Sequence, residues 1–146
     1  MKLNKKGFTL VELLAVIVIL AVIMLVAVTA VGPAITNSKR GAFFSTLSSV
    51  EDAAALYATT QGLTSSQCVT IKQLIDAGHL NNKDKNLQGK VQITVTTDAT
   101  TKLTSYKYLL TVKNADFGVA GKQVSEFEKD SDFPKASTVT TGLTCS

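Results

Sequence analysis

The sequence is poor in the side chains from which most catalytic and metal sites are built. It contains one histidine, His79, and two cysteines, Cys68 and Cys145. A structural zinc site needs four ligands, which these three residues do not supply. A serine or threonine nucleophile needs a positioned base, and His79 has no accompanying motif. We therefore expect no enzyme activity, metal or cofactor, and we interpret His79 as a surface residue at a helix end.

Charge of either sign is missing from a long N-terminal stretch. No charged side chain occurs between Glu12 and Lys39, a run of 26 residues, and residues 13–28 are wholly apolar. A helix that crosses a bilayer needs about 20 predominantly apolar residues. The stretch therefore predicts one membrane-spanning helix.

An excess of positive charge is missing from the remainder of the chain. The formal net charge is +4, but three lysines lie in residues 1–7, and residues 41–146 contain ten Lys and ten Asp or Glu. A nucleic-acid binder shows a basic patch or stripe. The counts predict no strong nucleic-acid binding by the isolated domain, and they leave open a surface built from several subunits.

The features before the apolar run are not in the order of a secretory signal, in which a small-residue cleavage site follows the apolar region. Here the basic residues and a candidate cleavage site at Gly7 come first, so cleavage after Gly7 would leave the span on the product. A carboxylate at the mouth of a membrane helix is costly, and Glu12 therefore invites a functional interpretation with a named partner. The alternative is an interfacial residue of a plain signal anchor.

The segment KKGFTLVEL, residues 5–13, resembles the leader and N-terminus of type IV pilins and of type II secretion pseudopilins. The resemblance covers roughly residues 1–35. It implies that a membrane prepilin peptidase cuts after Gly7 and methylates the new amine of Phe8, and that Glu12 is the assembly carboxylate. Beyond this segment only the layout is shared, namely a long helix followed by a strand-rich domain with a late cysteine.

Electrostatics gives an independent reason for a pair between Phe8 and Glu12. Cleavage would create a positive amine on Phe8, which can meet the Glu12 carboxylate of a neighbouring subunit inside an apolar bundle. Leaving either charge unpaired in that surrounding costs about 3–5 kcal/mol. We therefore expect the pair to set the axial register between neighbouring helices.

A proline near the end of the apolar run is expected to disturb the helix. Pro33 removes a backbone hydrogen bond and disfavours helical geometry at Gly32, so the pair predicts a kink or break. Beyond it, Phe43, Leu47 and Val50 begin an apolar pattern at helical spacing, which continues to a glycine stop at Gly62.

The sequence pattern of the second part of the chain predicts a small α+β domain. Residues 68–78 have a helical pattern, residues 91–96 and 106–112 alternate as strands, and two further strands are expected near residues 117–124 and 138–143. Cys68 and Cys145 are an even count in a domain expected in a compartment where oxidation is possible, and we interpret them as a disulfide. Lys39 and Arg40 after the span weaken the charge bias that would place its N-terminus inside.

We expect four segments: a leader peptide at 1–7, a transmembrane or filament-core helix at 8–34, its amphipathic continuation at 35–62, and a disulfide-closed β-rich domain at 63–146. The predicted fold is type IV pilin-like, with the long helix packed against a small antiparallel sheet.

An acidic run (Glu126, Glu128, Asp130 and Asp132) offers oxygen ligands but lacks the glycine turn and spacing of a calcium loop. A solvated acidic loop is the favoured interpretation.

The resemblance implies a structural pilin that starts as a single-pass prepilin of the cytoplasmic membrane and ends in an extracellular filament. Its implied partners are the prepilin peptidase, the pilus assembly platform and other copies of itself in a helical homopolymer. Adhesion, twitching motility, biofilm formation and DNA uptake are uses implied by the family alone. A pseudopilin of a secretion or competence system is the alternative, and a membrane-anchored binding protein or enzyme is a third.

Overall fold

The computed structural model describes residues 9–81, 86–128 and 132–145. Helix α1 (Leu10–Thr60) is followed by strand β1 (Gln67–Thr70), helix α2 (Ile71–Asp76), and strands β2 (Gln88–Thr97), β3 (Thr104–Lys113) and β4 (Gly118–Lys122). Two short 3-10 helices, Val124–Glu126 and Ala136–Thr138, complete the elements. The chain divides into a unit of residues 1–37 and a unit of residues 38–146.

In the first unit, α1 is apolar and exposed on all sides. Its large apolar side chains from Leu10 to Ile35 are 49–81% exposed. A helix that is apolar all round belongs in a large core or a membrane. This helix is long and apolar enough to cross a bilayer by length and composition.

In the second unit, α1 becomes amphipathic and packs on the sheet. One face is buried, formed by Phe43, Leu47, Val50, Ala53, Ala54 and Ala58. Gly62 lies in the left-handed region with φ of 60°, and its N–H donates to the Thr59 carbonyl while that of Leu63 donates to Ala58. Such bonds satisfy the last carbonyls of a helix, which explains the end of α1 at this point.

The sheet is antiparallel with strand order β1-β2-β3-β4. Side chains alternate across each strand, so Val91 and Ile93 of β2 and Leu110 and Val112 of β3 face the helix and are buried. The hydroxyl of Tyr106 donates to the Leu63 carbonyl over 3.2 Å, which ties β3 to the chain after α1. The fold is therefore the α+β arrangement of a long helix on a small antiparallel sheet.

Two predicted elements are corrected by the structure. Residues 68–70 form the end of β1 and not the start of a helix, because they pair with β2 from Lys90 to Gln92. Thr70 then caps α2 through a capping box with Gln73. The strand expected at residues 138–143 is absent, since this segment crosses the strands and does not run beside one.

The segment from Thr140 to Cys145, which we call the C-terminal strap, lies on the face of the sheet opposite α1. Val139, just before it, packs on Gly118 of β4, and Gly142 lies at Thr111 of β3. The carbonyl of Thr144 then accepts from Lys90 of β2. A disulfide joins Cys145 to Cys68 of β1, which lies 77 positions earlier in the sequence. After the contact of Val139 with β4, the strap thus contacts β3, β2 and β1 in order.

Glu51 of α1 makes the stability of this unit depend on pH. Burial, with a smaller effect of the neighbouring Asp52, raises its pKa above 4.5. The folded chain therefore holds the Glu51 proton to higher pH than the unfolded chain, and the free energy of unfolding falls as pH rises above about 4.5. Glu51→Gln should raise the midpoint of thermal unfolding by a few degrees at neutral pH and leave it unchanged near pH 3, measured on the full chain in detergent.

Glu126 provides the contrasting variant. Its pKa is lowered, first by the backbone N–H of Gln123 and then by Lys122, so its contribution is present at neutral pH and lost in acid. Glu126→Gln should lower the unfolding midpoint at neutral pH. The same sign of change for both variants would contradict the assignment.

Candidate functional site

The described part of the chain begins at Thr9, and α1 begins with a capping box between Thr9 and Glu12. The Thr9 backbone N–H and hydroxyl both donate to Glu12 Oε2 over 2.9 Å, and the Glu12 N–H donates to Thr9 Oγ1 over 3.3 Å. This arrangement satisfies N–H groups that have no partner within a helix. It also holds the only carboxylate of this end of the chain in one orientation.

The geometry leaves part of the Glu12 carboxylate open. Among the described residues, the donors that reach this carboxylate are those of Thr9 and both bond to Oε2, so Oε1 can accept from a further partner. A carboxylate has room for about four donors. Next to an apolar helix, an amine from another chain is a fitting partner for the remaining lone pairs, because burial of an unpaired charge is costly.

The sequence signal for this box was present in the Thr9-x-x-Glu12 spacing, which is that of a capping box. The resemblance of this segment predicts an assembly role for Glu12, and the structure adds the capping role of Thr9. Gly7 and Phe8, the residues predicted for cleavage and methylation, lie outside the described residues. Their roles remain predictions.

The helix continues through Gly32 and Pro33, which lie inside α1. The hydroxyl of Thr29 donates to the Val26 carbonyl over 2.8 Å, and that of Thr36 donates to the Gly32 carbonyl over 3.2 Å. Side-chain bonds of this kind accompany bends in helices and compete with the backbone ladder. The dipeptide is therefore not the end of a helix in this structure, and its unwinding in an assembled state remains a prediction.

Two ion pairs connect α1 to distant loops of the second unit. Lys39 Nζ lies 2.9 Å from Asp116 Oδ1, and Arg40 pairs with Asp132. These contacts join residues that are 77 and 92 positions apart, so no local sequence pattern predicts them. They assign Asp132 of the acidic run to an ion pair within the chain.

The other residues of the acidic run either have interaction partners or lie outside the described residues. The Glu126 carboxylate accepts from the Gln123 N–H and from Lys122. Asp130 lies outside the described residues. Within residues 9–81, 86–128 and 132–145, no group of three or more His, Cys, Asp or Glu side chains is arranged to hold a metal ion.

His79 follows α2 in sequence and lies beside the C-terminal end of α1. Its Nε2 is 3.4 Å from the hydroxyl of Thr60, and its ring packs edge-on near Tyr57 with centroids 6.1 Å apart. It is half-buried rather than fully on the surface, and it tethers the loop after α2 to the helix. Cys68 and Cys145 are joined as described above.

Thr9→Val should weaken the start of α1. The variant removes the hydroxyl that accepts from Glu12 and donates to it, and loss of such a cap costs about 1 kcal/mol. We expect several-fold faster amide hydrogen exchange at residues 10–12 in detergent, with no change at residues 43–58. Thr9→Ser, which keeps the hydroxyl, is the matched control, and equal exchange in both variants would show that the hydroxyl has no such role.

The comparisons with known proteins concern this same end of the chain. No curated protein and no solved structure matches the sequence. Residues 2–28 match the family model described as the prokaryotic N-terminal methylation motif. This motif is typical of type IV pilins and pseudopilins. The chain therefore carries the N-terminal motif of that class on residues that include Gly7, Phe8 and the Thr9–Glu12 box.

Proposed function

We propose that this chain is a structural subunit of a type IV pilus. The prepilin is inserted in the cytoplasmic membrane by α1, cut after Gly7 by the prepilin peptidase and methylated on Phe8. The pilus assembly platform then moves it into an extracellular helical homopolymer. The observation that carries the proposal is the methylation motif at residues 2–28.

The geometry at Glu12 supports the assembly step. Thr9 holds Oε2, and Oε1 is left to accept the Phe8 amine of a neighbouring subunit. The all-round exposure of α1 up to Ile35 supports it as well, since this surface needs lipid before assembly and other helices after it. Both requirements are met by transfer of the helix from a membrane to a filament core.

A pseudopilin of a secretion or competence system carries the same motif and is the second candidate. We favour the pilin because a disulfide ties the C-terminal strap across the exported domain. The proposed work is assembly, without catalysis. Adhesion, twitching motility, biofilm formation and DNA uptake are the proposed uses of the filament.

The first test is the N-terminus of the mature chain. Intact-mass and N-terminal peptide analysis of membrane-extracted protein should show a chain that begins at methylated Phe8. Cells without the prepilin peptidase are the control and should keep residues 1–7. A mature species that still carries Lys2 to Gly7 in cells with an active peptidase would contradict the proposal.

The second test is the Glu12→Ala variant as the only copy of the chain. The change makes the span more apolar and should leave insertion and processing intact, but it removes the partner of the Phe8 amine. Immunoblots of membrane and sheared-surface fractions should show normal processed protein and at least roughly ten-fold fewer filaments, since loss of a buried charge pair costs several kcal/mol. Co-expression with the wild-type chain should restore partial incorporation.

Asp76→Ala, which removes an exposed carboxylate from α2, is the matched control and should leave the filament yield unchanged. An unchanged yield for Glu12→Ala would make Glu12 an ordinary interfacial residue of a membrane anchor. Normal processing of the wild-type chain without any surface filament would favour the pseudopilin.

A further inference from the structure

The face of the sheet opposite α1, which we call the outer face, carries lysines and no acidic residue. Its side chains alternate with the buried ones along β1, β2 and β3: Cys68, Thr70, Lys90, Gln92, Thr94, Thr96, Ser105, Lys107, Leu109, Thr111 and Lys113. The register confirms the shared face, because Lys107 is opposite Thr94 and Lys90 is opposite Thr111. Hydroxyl groups thus surround the ammonium groups.

The C-terminal strap extends this surface. It adds three threonines and no charged side chain in residues 140–145. Lys72, in the first turn of α2, lies beside it, since both line a cleft with Thr144. At the other edge, Lys122 is paired with Glu126. The positive charge of Lys107 also lowers the pKa of the Glu126 carboxyl. Among the described residues, Lys90, Lys107 and Lys113 lie on the outer face, Lys72 and Asp76 of α2 lie at one edge, and Lys122 and Glu126 lie at the other.

Several acidic residues of the domain lie away from the outer face. Asp116 and Asp132 are engaged by Lys39 and Arg40 of α1. Glu51 and Asp52 lie on α1, which packs on the opposite face of the sheet. The strands therefore carry a local excess of positive charge on the outer face, and such an excess favours an anionic partner.

The cleft beside the strap indicates the form of that partner. It has a volume of about 370 Å³ and is lined mostly by apolar groups, to which Thr70, Lys72, Gln88 and Thr144 add a few hydrogen-bonding groups. A nucleic-acid duplex is too wide to enter it. Single-stranded nucleic acid binds through aromatic stacking platforms, and the outer face and strap, all within the described residues, contain no aromatic side chain.

We propose that the outer face and the C-terminal strap bind a flexible polyol-phosphate polymer. Lysine ammonium groups bind phosphate as point charges, and the threonine hydroxyls can donate to phosphate and exchange hydrogen bonds with polyol hydroxyls. A flexible chain can follow ammonium groups that are scattered over a face and can place one segment in the cleft. The contact within one subunit is small, so tight binding rests on the proposed function, in which a filament repeats the face many times.

The test measures binding of poly(glycerol phosphate) to purified filaments at several salt concentrations. Lys107→Gln with Lys113→Gln should weaken binding by roughly ten-fold or more and reduce the salt dependence by about one unit per lysine. Lys102→Gln with Lys135→Gln removes the same charge from the β2–β3 turn and from the loop before Val139. This control should change the affinity by less than about two-fold, since neither lysine lies on the outer face.

Duplex DNA and polyglutamate are tested beside poly(glycerol phosphate). Tighter binding of DNA would overturn the proposal in favour of a nucleic-acid surface, and equal binding of polyglutamate would reduce the face to a general attraction for negative charge. No binding by wild-type filaments, or equal losses in both double variants, would also overturn it.

Detergent-solubilised subunits separate this proposal from the proposed function. They should bind the same polymer more weakly than filaments and lose binding in the Lys107 and Lys113 variant only. If no filaments form, the proposed function fails while the subunit measurement still decides whether the face binds. If filaments form and neither they nor the subunits bind, only the present proposal fails.

Discussion

The two parts of helix α1 need different surroundings, and this requirement governs the rest of the molecule. From Leu10 to Ile35 it exposes apolar side chains on every side, whereas from Phe43 to Ala58 it buries one face against the sheet. The first part is stable only in lipid or among other apolar helices. The second part is stable only with its own β-domain, so each half needs a partner that the other half does not provide.

The change from the exposed apolar part of α1 to the part that packs on the sheet coincides with a cluster of specific contacts. Lys39 and Arg40 reach Asp116 and Asp132, and directly after them Phe43 packs against the rings of Phe117 and Phe133, with centroids 5.7 and 5.0 Å apart. Exposed ion pairs contribute little by themselves. The buried aromatic contacts carry most of the stabilisation, and the ion pairs place the charges of Lys39 and Arg40 next to carboxylates at the edge of the core.

Much of this architecture follows from local pattern, and the parts that do not follow depend on distant contacts. The apolar run, the buried face of α1 and the alternation in β2 and β3 are repeated signals, so the fold class and the limits of α1 could be predicted. The segment at residues 68–70 was wrongly predicted as helix because its pairing with β2 overrides a short helical pattern. The C-terminal strap was missed because a segment that crosses strands has no period of its own.

At the candidate site, too, some features could be predicted from the local sequence and others depend on contacts between distant residues. The resemblance of residues 5–13 pointed to Glu12, and the structure adds Thr9 as the residue that orients it. The partners of Lys39 and Arg40 have no signal in the sequence because attraction between charges acts through space. Cysteine count sufficed for the disulfide, since two cysteines in one domain permit a single internal pairing.

The path of the strap has a mechanical consequence. Because Cys145 is bonded to Cys68, the backbone between them is a closed covalent ring that contains the whole of α2 and β2 to β4. A pull between α1 and Cys145 can lengthen the chain only as far as Cys68, after which the load passes into the sulfur–sulfur bond. A chain pulled at these two points therefore has a short limit of extension, and the ring lengthens along this axis only when the disulfide breaks.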